Sequence, residues 1–242
     1  MSRRGSRTGL WAIAGTLAAA AALSWLLAGT GTAREADSPG GREAENQARC
    51  ARNLERIGLA LSRYNEANDR MPGNIVDKDG KPLLSWRVAI LPHMGEEALY
   101  KRFKLDEPWD GPHNKPLLNK VPEVFHCPGR SRPDPSLTNY LGFEGQRTLF
   151  EERVKPEIRD ALDEMAAAIT LEVAEAEEGT PWTKPADLPF DENAPPSLYG
   201  AGSKHPGGFN ALFANGSVRF LKATINPKLF RDFIREVPDD SP

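Results

Sequence analysis

The chain is poor in the residue types that most often carry chemistry: two cysteines and four histidines in 242 residues. None of His93, His113, His126 and His205 falls in a His-x-His or His-x3-His pair, and Cys50 and Cys127 are far apart, so zinc-type ligand spacing is missing. Gly-x-Ser-x-Gly, Walker and Gly-x-Gly-x-x-Gly patterns are absent as well. There is no large excess of charge of either sign. The 31 Lys and Arg against 34 Asp and Glu give a net −3, which gives no reason to expect nucleic acid as a partner. Apolar residues reach only 39%, beside 21 prolines and 21 glycines. That composition describes a loop-rich domain with a modest core.

Long apolar runs are confined to the start. Arg3, Arg4 and Arg7 form a basic cluster, and no charge follows until Arg34. The run Gly9 to Ala28 between them, with Trp11 and Trp25, has the ~20 residues a bilayer-crossing helix needs. The cluster should stay cytoplasmic, which places everything after residue 34 outside. A retained membrane anchor is the expectation, and cleavage of a signal segment near Gly31 and Ala33 is the alternative. Residues 34–42 read as a linker, 43–236 as the exported domain and 237–242 as a tail.

Within the domain, Cys50, Leu54, Ile57, Leu61 and Tyr64 recur at helical spacing, and Met71-Pro72-Gly73 ends the element. Asp77-Lys78-Asp79-Gly80 is a turn, and Ser85 caps a short helix through Leu91. Further short helices are expected over 96–103, 111–119 and 157–164. Extended segments are expected at Val124-Phe125-His126 and over 168–173. Residues 180–208 form a long proline-rich loop. Strands 209–213 and 217–221 flank Asn215-Gly216, a dipeptide suited to a primed hairpin turn. A helix over 227–235 closes the chain, burying Leu229, Phe230 and Phe233. The class is α+β.

Several blocks share one further property. Cys50-Ala51-Arg52-Asn53-Leu54-Glu55-Arg56-Ile57-Gly58-Leu59-Ala60-Leu61, Ser85-Trp86-Arg87-Val88 and Glu107-Pro108-Trp109-Asp110 occur in that order. Phe125-His126-Cys127-Pro128, Pro181-Trp182-Thr183-Lys184-Pro185 and Asp187-Leu188-Pro189-Phe190 follow. His205-Pro206-Gly207-Gly208 then precedes Asn215-Gly216. This series resembles the domain of unknown function 1559 family, also labelled as solute-binding, with its His-x9-Asp-Gly signature. The resemblance implies a pilin-like domain: an N-terminal membrane helix, then a long helix packed on a small antiparallel sheet. Two departures stand out. The prepilin leader is degenerate, and Asn215 replaces the signature Asp, which spares a turn but not a role needing a carboxylate.

The two cysteines of an exported domain commonly form a disulfide, with two buried free thiols as the alternative. A Cys50–Cys127 bridge would close about 77 residues and stabilise by roughly 4–5 kcal/mol on the chain-entropy model. His205 is the leading candidate for chemistry, beside a glycine-rich loop. The plainer expectation is that its ring pins the hairpin entry, with Gly207, Gly208, Asn215 and Gly216 shaping the backbone. Asp110 and Glu172 are isolated carboxylates. Trp86, Trp109 and Trp182 invite a glycan-platform reading, although packing suits residues set among prolines. No catalytic, cofactor or metal residues are expected. The function expected is a non-enzymatic, membrane-anchored envelope scaffold, with envelope proteins or a second copy as partners. The alternative is an extracytoplasmic module binding solute, peptide or glycan, with Trp182 and His205 on its rim. A carboxylate bonded to His205 in a cleft would argue for an enzyme.

Overall fold

The computed structural model describes residues 38–129, 134–145, 148, 150 and 170–234. The basic cluster, the run 9–28, the segment 157–164 and the tail 237–242 lie outside them. Internal contacts divide the chain into a unit ending at Glu45 and one beginning at Asn46. Of the first unit, residues 38–45 are described, and they open helix α1 (Pro39–Asn68). The helix thus starts inside the stretch expected to be linker. Ser38 accounts for this: its Oγ accepts the Gly41 N–H at 3.0 Å and its carbonyl the Arg42 N–H at 2.9 Å. Pro39 occupies the first helical position, where an N–H would go unused anyway.

In the second unit, Cys50, Leu54, Ile57 and Leu61 of α1 are buried, as their spacing requires. β1 (Ile75–Val76) and β2 (Pro82–Leu84) pair antiparallel across the Asp77 turn, whose Oδ1 accepts the N–H groups of Asp79 and Lys81. Ser85 caps α2 (Trp86–Ala89), accepting the Arg87 N–H. A 3-10 turn at Leu91–Met94 leads to α3 (Glu97–Tyr100), and further 3-10 turns cover Lys115–Asn119 and Glu123–Phe125. The last replaces the extended segment expected at Val124–His126. Phe125 N–H donates to Pro122 and His126 N–H to Glu123, local bonds that a strand would give up.

The remainder supplies β3 (Leu137–Leu141), β4 (Phe143–Glu144), β5 (Leu171–Pro181), β6 (Leu188–Pro189), β7 (Gly208–Phe213) and β8 (Val218–Lys222). One sheet has the order β3-β5-β7-β8, antiparallel throughout, while β4 and β6 form a separate parallel pair. Helix α4 (Pro227–Ile234) ends the described chain, burying Phe230 and Ile234. Leu229, expected inside, is 48% exposed, because the helix turns its Phe230–Ile234 face inward.

The class is α+β with a four-stranded antiparallel sheet, but the pilin-like architecture expected from the resemblance is corrected. No helix among the described residues is long and apolar enough to cross a membrane. Nor is α1 a long helix serving mainly as the cover of a small sheet. The core around its buried stripe is furnished mostly by residues 83–127, including Leu84, Trp86, Ile90, Phe103 and Phe125. Tyr140, Val173 and Leu212 bring the sheet into the same core. A second core joins Phe143, Phe209, Phe213 and Phe230. The proline-rich short helices thus take the share of the apolar stripe that a larger sheet would otherwise cover.

The terminal hairpin is present with a different turn. Gly216 N–H donates to Phe213 O at 2.8 Å, and Phe213 N–H to Ser217 O at 2.9 Å. Only Gly216 in this loop has positive φ, 80°. That pattern is a type I turn closed by a left-handed glycine, not the primed turn that needs positive φ at both central residues. Asn215 contributes through its side chain: Oδ1 accepts from Ser217 N at 3.0 Å and Ser217 Oγ at 2.7 Å.

Candidate functional site

Four buried residues from separate elements converge on one point. Cys50 comes from α1, Cys127 follows the 3-10 turn 123–125, Glu175 lies on β5, and His205 sits in the loop before β7. Cys50 and Cys127 form a disulfide with Cα atoms 5.2 Å apart, inside the range a bridge requires. His205 Nε2 stands 3.4 Å from Cys127 Sγ and 3.3 Å from Glu175 Oε1, which is itself 3.5 Å from that sulfur. The His205 and Glu175 side chains are each 1% exposed.

Each member is held from behind. Asn210 on β7 gives its N–H to Glu175 Oε2 at 2.7 Å, with its Nδ2 at 3.4 Å from the same oxygen. His205 N–H donates to Ser203 Oγ, which in turn donates to Gly208 O. Gly129 is small enough for the imidazole to lie against it: a Cβ there would stand 2.7 Å from His205 Cε1. Gly207 takes φ 84°, and a side chain on Gly208 would run into the Leu221 carbonyl of β8. The glycines set the path of the loop against its neighbours, and the loop delivers His205 inward.

The second buried polar cluster unites two blocks about a hundred residues apart. Arg87 and Asp187 form an ion pair with side chains 0% and 4% exposed. The guanidinium also donates from Nε to Tyr140 O at 3.1 Å and from NH1 to Ser85 Oγ at 2.6 Å, and lies 4.7 Å from the Trp86 ring centroid. Asp187 Oδ1 accepts the Gly142 N–H at 2.7 Å, and Oδ2 the Trp86 Nε1–H at 3.0 Å. Burial pulls the Arg87 pKa below its ordinary value, while Asp187 opposes that by charge and hydrogen bonding. All partners on this pair belong to the protein interior.

Trp182 forms no rim. It is fully buried, its Nε1–H donates to Leu118 O at 3.1 Å, and its ring meets Phe103 edge-on and Phe125 stacked. Trp86 stacks on Phe150, and Lys184 lies 5.9 Å over the half-buried Trp109. Asp110 is exposed and Glu172 is buried on β5, neither within the four-residue cluster. His93 packs edge-on to Tyr64, and His113 Nε2 is 2.9 Å from Arg102 O. His126 is reached through its carbonyl, which accepts from Asn53 Nδ2 at 2.8 Å. Sequence reasoning passed over Glu175, Arg87, Asp187 and Asn53. Three of them were legible only as members of the recurring blocks, and Glu175 carried no signal at all.

No curated relative and no solved structure matches this chain. A model of the family described as protein of unknown function (DUF1559), labelled SBP_bac_10, matches residues 40–175 and 152–228. Those segments contain α1 from its second residue onward, both cysteines, the Arg87–Asp187 pair and the whole terminal hairpin. The chain belongs to the DUF1559 family.

Proposed function

We propose that this protein is a non-enzymatic scaffold of the cell envelope, its folded domain lying outside the cytoplasm. The observation that carries the reading is the employment of His205. The signature histidine sits against the disulfide and Glu175, and joins the loop before β7 to β5 and to the Cys127 segment. A carboxylate does face it, but both side chains are 1% exposed, so the pair is placed to fasten elements together rather than to meet a substrate. The disulfide supports an oxidising compartment. The Arg3, Arg4 and Arg7 cluster and the uncharged run 9–28 would supply export and tethering.

The test is His205→Ala in the oxidised chain, with no ligand present. Leaving the Glu175 carboxyl without its ring partner should cost ~1–3 kcal/mol, read as a lower melting temperature. An unchanged melting temperature, combined with loss of an activity or a ligand affinity, would overturn the scaffold reading.

A further inference from the structure

We propose that the disulfide pocket doubles as a closed zinc site when Cys50 and Cys127 are reduced, with Glu175 and His205 completing four ligands. The ligand atoms of all four residues lie within 4.8 Å of one another, and all four residues are buried. Three of the separations already have the length of a tetrahedron's edge. Zinc holds nitrogen and oxygen at ~2.0–2.2 Å and sulfur at ~2.3 Å, so adjacent ligand atoms in a tetrahedral shell stand roughly 3.3–3.8 Å apart. The observed distances are 3.3 Å from His205 Nε2 to Glu175 Oε1, 3.4 Å from His205 Nε2 to Cys127 Sγ, and 3.5 Å from Glu175 Oε1 to Cys127 Sγ. Cys50 is the ligand that must move: reduction frees its sulfur from that of Cys127, and the sulfur must then settle at an edge's length from His205 Nε2 and Glu175 Oε1, from which it stands within 4.8 Å.

The donors also suit the metal. Two thiolates, an imidazole and a carboxylate form a borderline-soft set that favours zinc over calcium or magnesium. Asn210 already holds Glu175 Oε2, which aims Oε1 at the cluster in the way outer partners orient metal ligands. With every position filled by protein, the site is of the structural kind, without an open place for water. Bridge and metal exclude one another because each engages the same sulfurs.

The conversion balances. A phosphine reductant takes the two electrons' worth of oxidation from the disulfide, water supplies the oxygen of the phosphine oxide, and two thiols result. Zinc then displaces one proton from each thiol and meets Glu175 as carboxylate and His205 as neutral imidazole.

The experiment uses the full chain, reduced anaerobically with tris(2-carboxyethyl)phosphine and titrated with Co2+ as the spectroscopic probe, then with Zn2+ in competition. One equivalent should bind with a thiolate-to-cobalt charge-transfer band and the intense ligand-field bands of a tetrahedral site, and zinc should abolish both. The oxidised chain should show neither. Glu175→Gln and His205→Ala should each weaken binding at least ~10-fold, the lower end of what losing even an outer partner costs. A reduced chain that stays folded but gives no tetrahedral cobalt spectrum overturns the proposal. So does a reduced chain that unfolds and is not refolded by zinc, or a spectrum unchanged when Cys50 and Cys127 are both serine. The scaffold reading is judged on oxidised protein, so the two can fail separately.

Discussion

Replacing Asp187 by Asn tests whether the Arg87 pair anchors the fold. The amide keeps the shape of the carboxylate, and its oxygen can still accept from Gly142 N–H and from Arg87. The NH2 group, however, now faces the Trp86 Nε1–H, donor against donor, where Oδ2 had accepted at 3.0 Å. The negative charge is also gone, while Arg87 stays charged and 0% exposed. Uncompensated buried charges typically cost ~3–5 kcal/mol, against ~0.2–1 kcal/mol for an exposed pair. At about 2–4 °C per kcal/mol for a domain of this size, the melting temperature should fall by roughly 6–20 °C. Urea unfolding should move its midpoint with little change in slope, showing that stability and not compactness has altered. The double variant Arg87→Met with Asp187→Leu should recover only part of the loss: the unpaired charge is gone, but the Gly142 N–H and the Trp86 Nε1–H lose the acceptor that Asp187 gave them. A loss below ~1 kcal/mol for Asp187→Asn would refute the reasoning, because the pair would then behave as if solvated.

Two further outcomes are expected. Gly216→Val should destabilise the protein clearly more than Asn215→Asp, by thermal melting, since a β-branched residue resists φ of 80° while Asp keeps the oxygen that Ser217 uses; equal losses would contradict the turn assignment. Cell fractionation with N-terminal sequencing should find an intact start in the membrane fraction, whereas a soluble chain beginning near Arg34 would defeat the tethering proposal.

The elements that proved legible were those with local causes. Ser85 capped its helix because a side-chain oxygen and the N–H two residues on are enough to define that start. The closing hairpin was readable from Asn215-Gly216 between apolar runs, but its turn type was not. Whether Asn215 itself takes positive φ depends on where the flanking pairs close, and Phe213 to Ser217 closes one residue wider than a two-residue loop. β5 was underestimated: expected over 168–173, it runs to Pro181 through Glu175, Glu177 and Glu178. Acids are weak strand formers, and ladders to β3 and β7 overrode that preference. Glu175 went unnoticed for the same reason, since an acid in such a stretch reads as a surface group until Asn210 and His205 are seen around it. The disulfide could be anticipated because counting two cysteines in a domain expected to be exported requires no geometry. The pilin-like layout failed because the destination of α1's apolar face depends on residues 83–127, whose short helices carry little periodicity.

Chain order gives the Cys50–Cys127 bridge a direction in time. Both cysteines precede β5 and the His205 loop, the pieces that later bring Glu175 and His205 against the sulfurs. In a chain delivered from its N-terminus, the thiols emerge and can meet an oxidant while the covering residues have yet to arrive. Glu175 and His205 then close over a finished bond. In a chain that folded first, the buried Glu175 and His205 side chains would have to move before an oxidant or a reductant could reach the sulfurs.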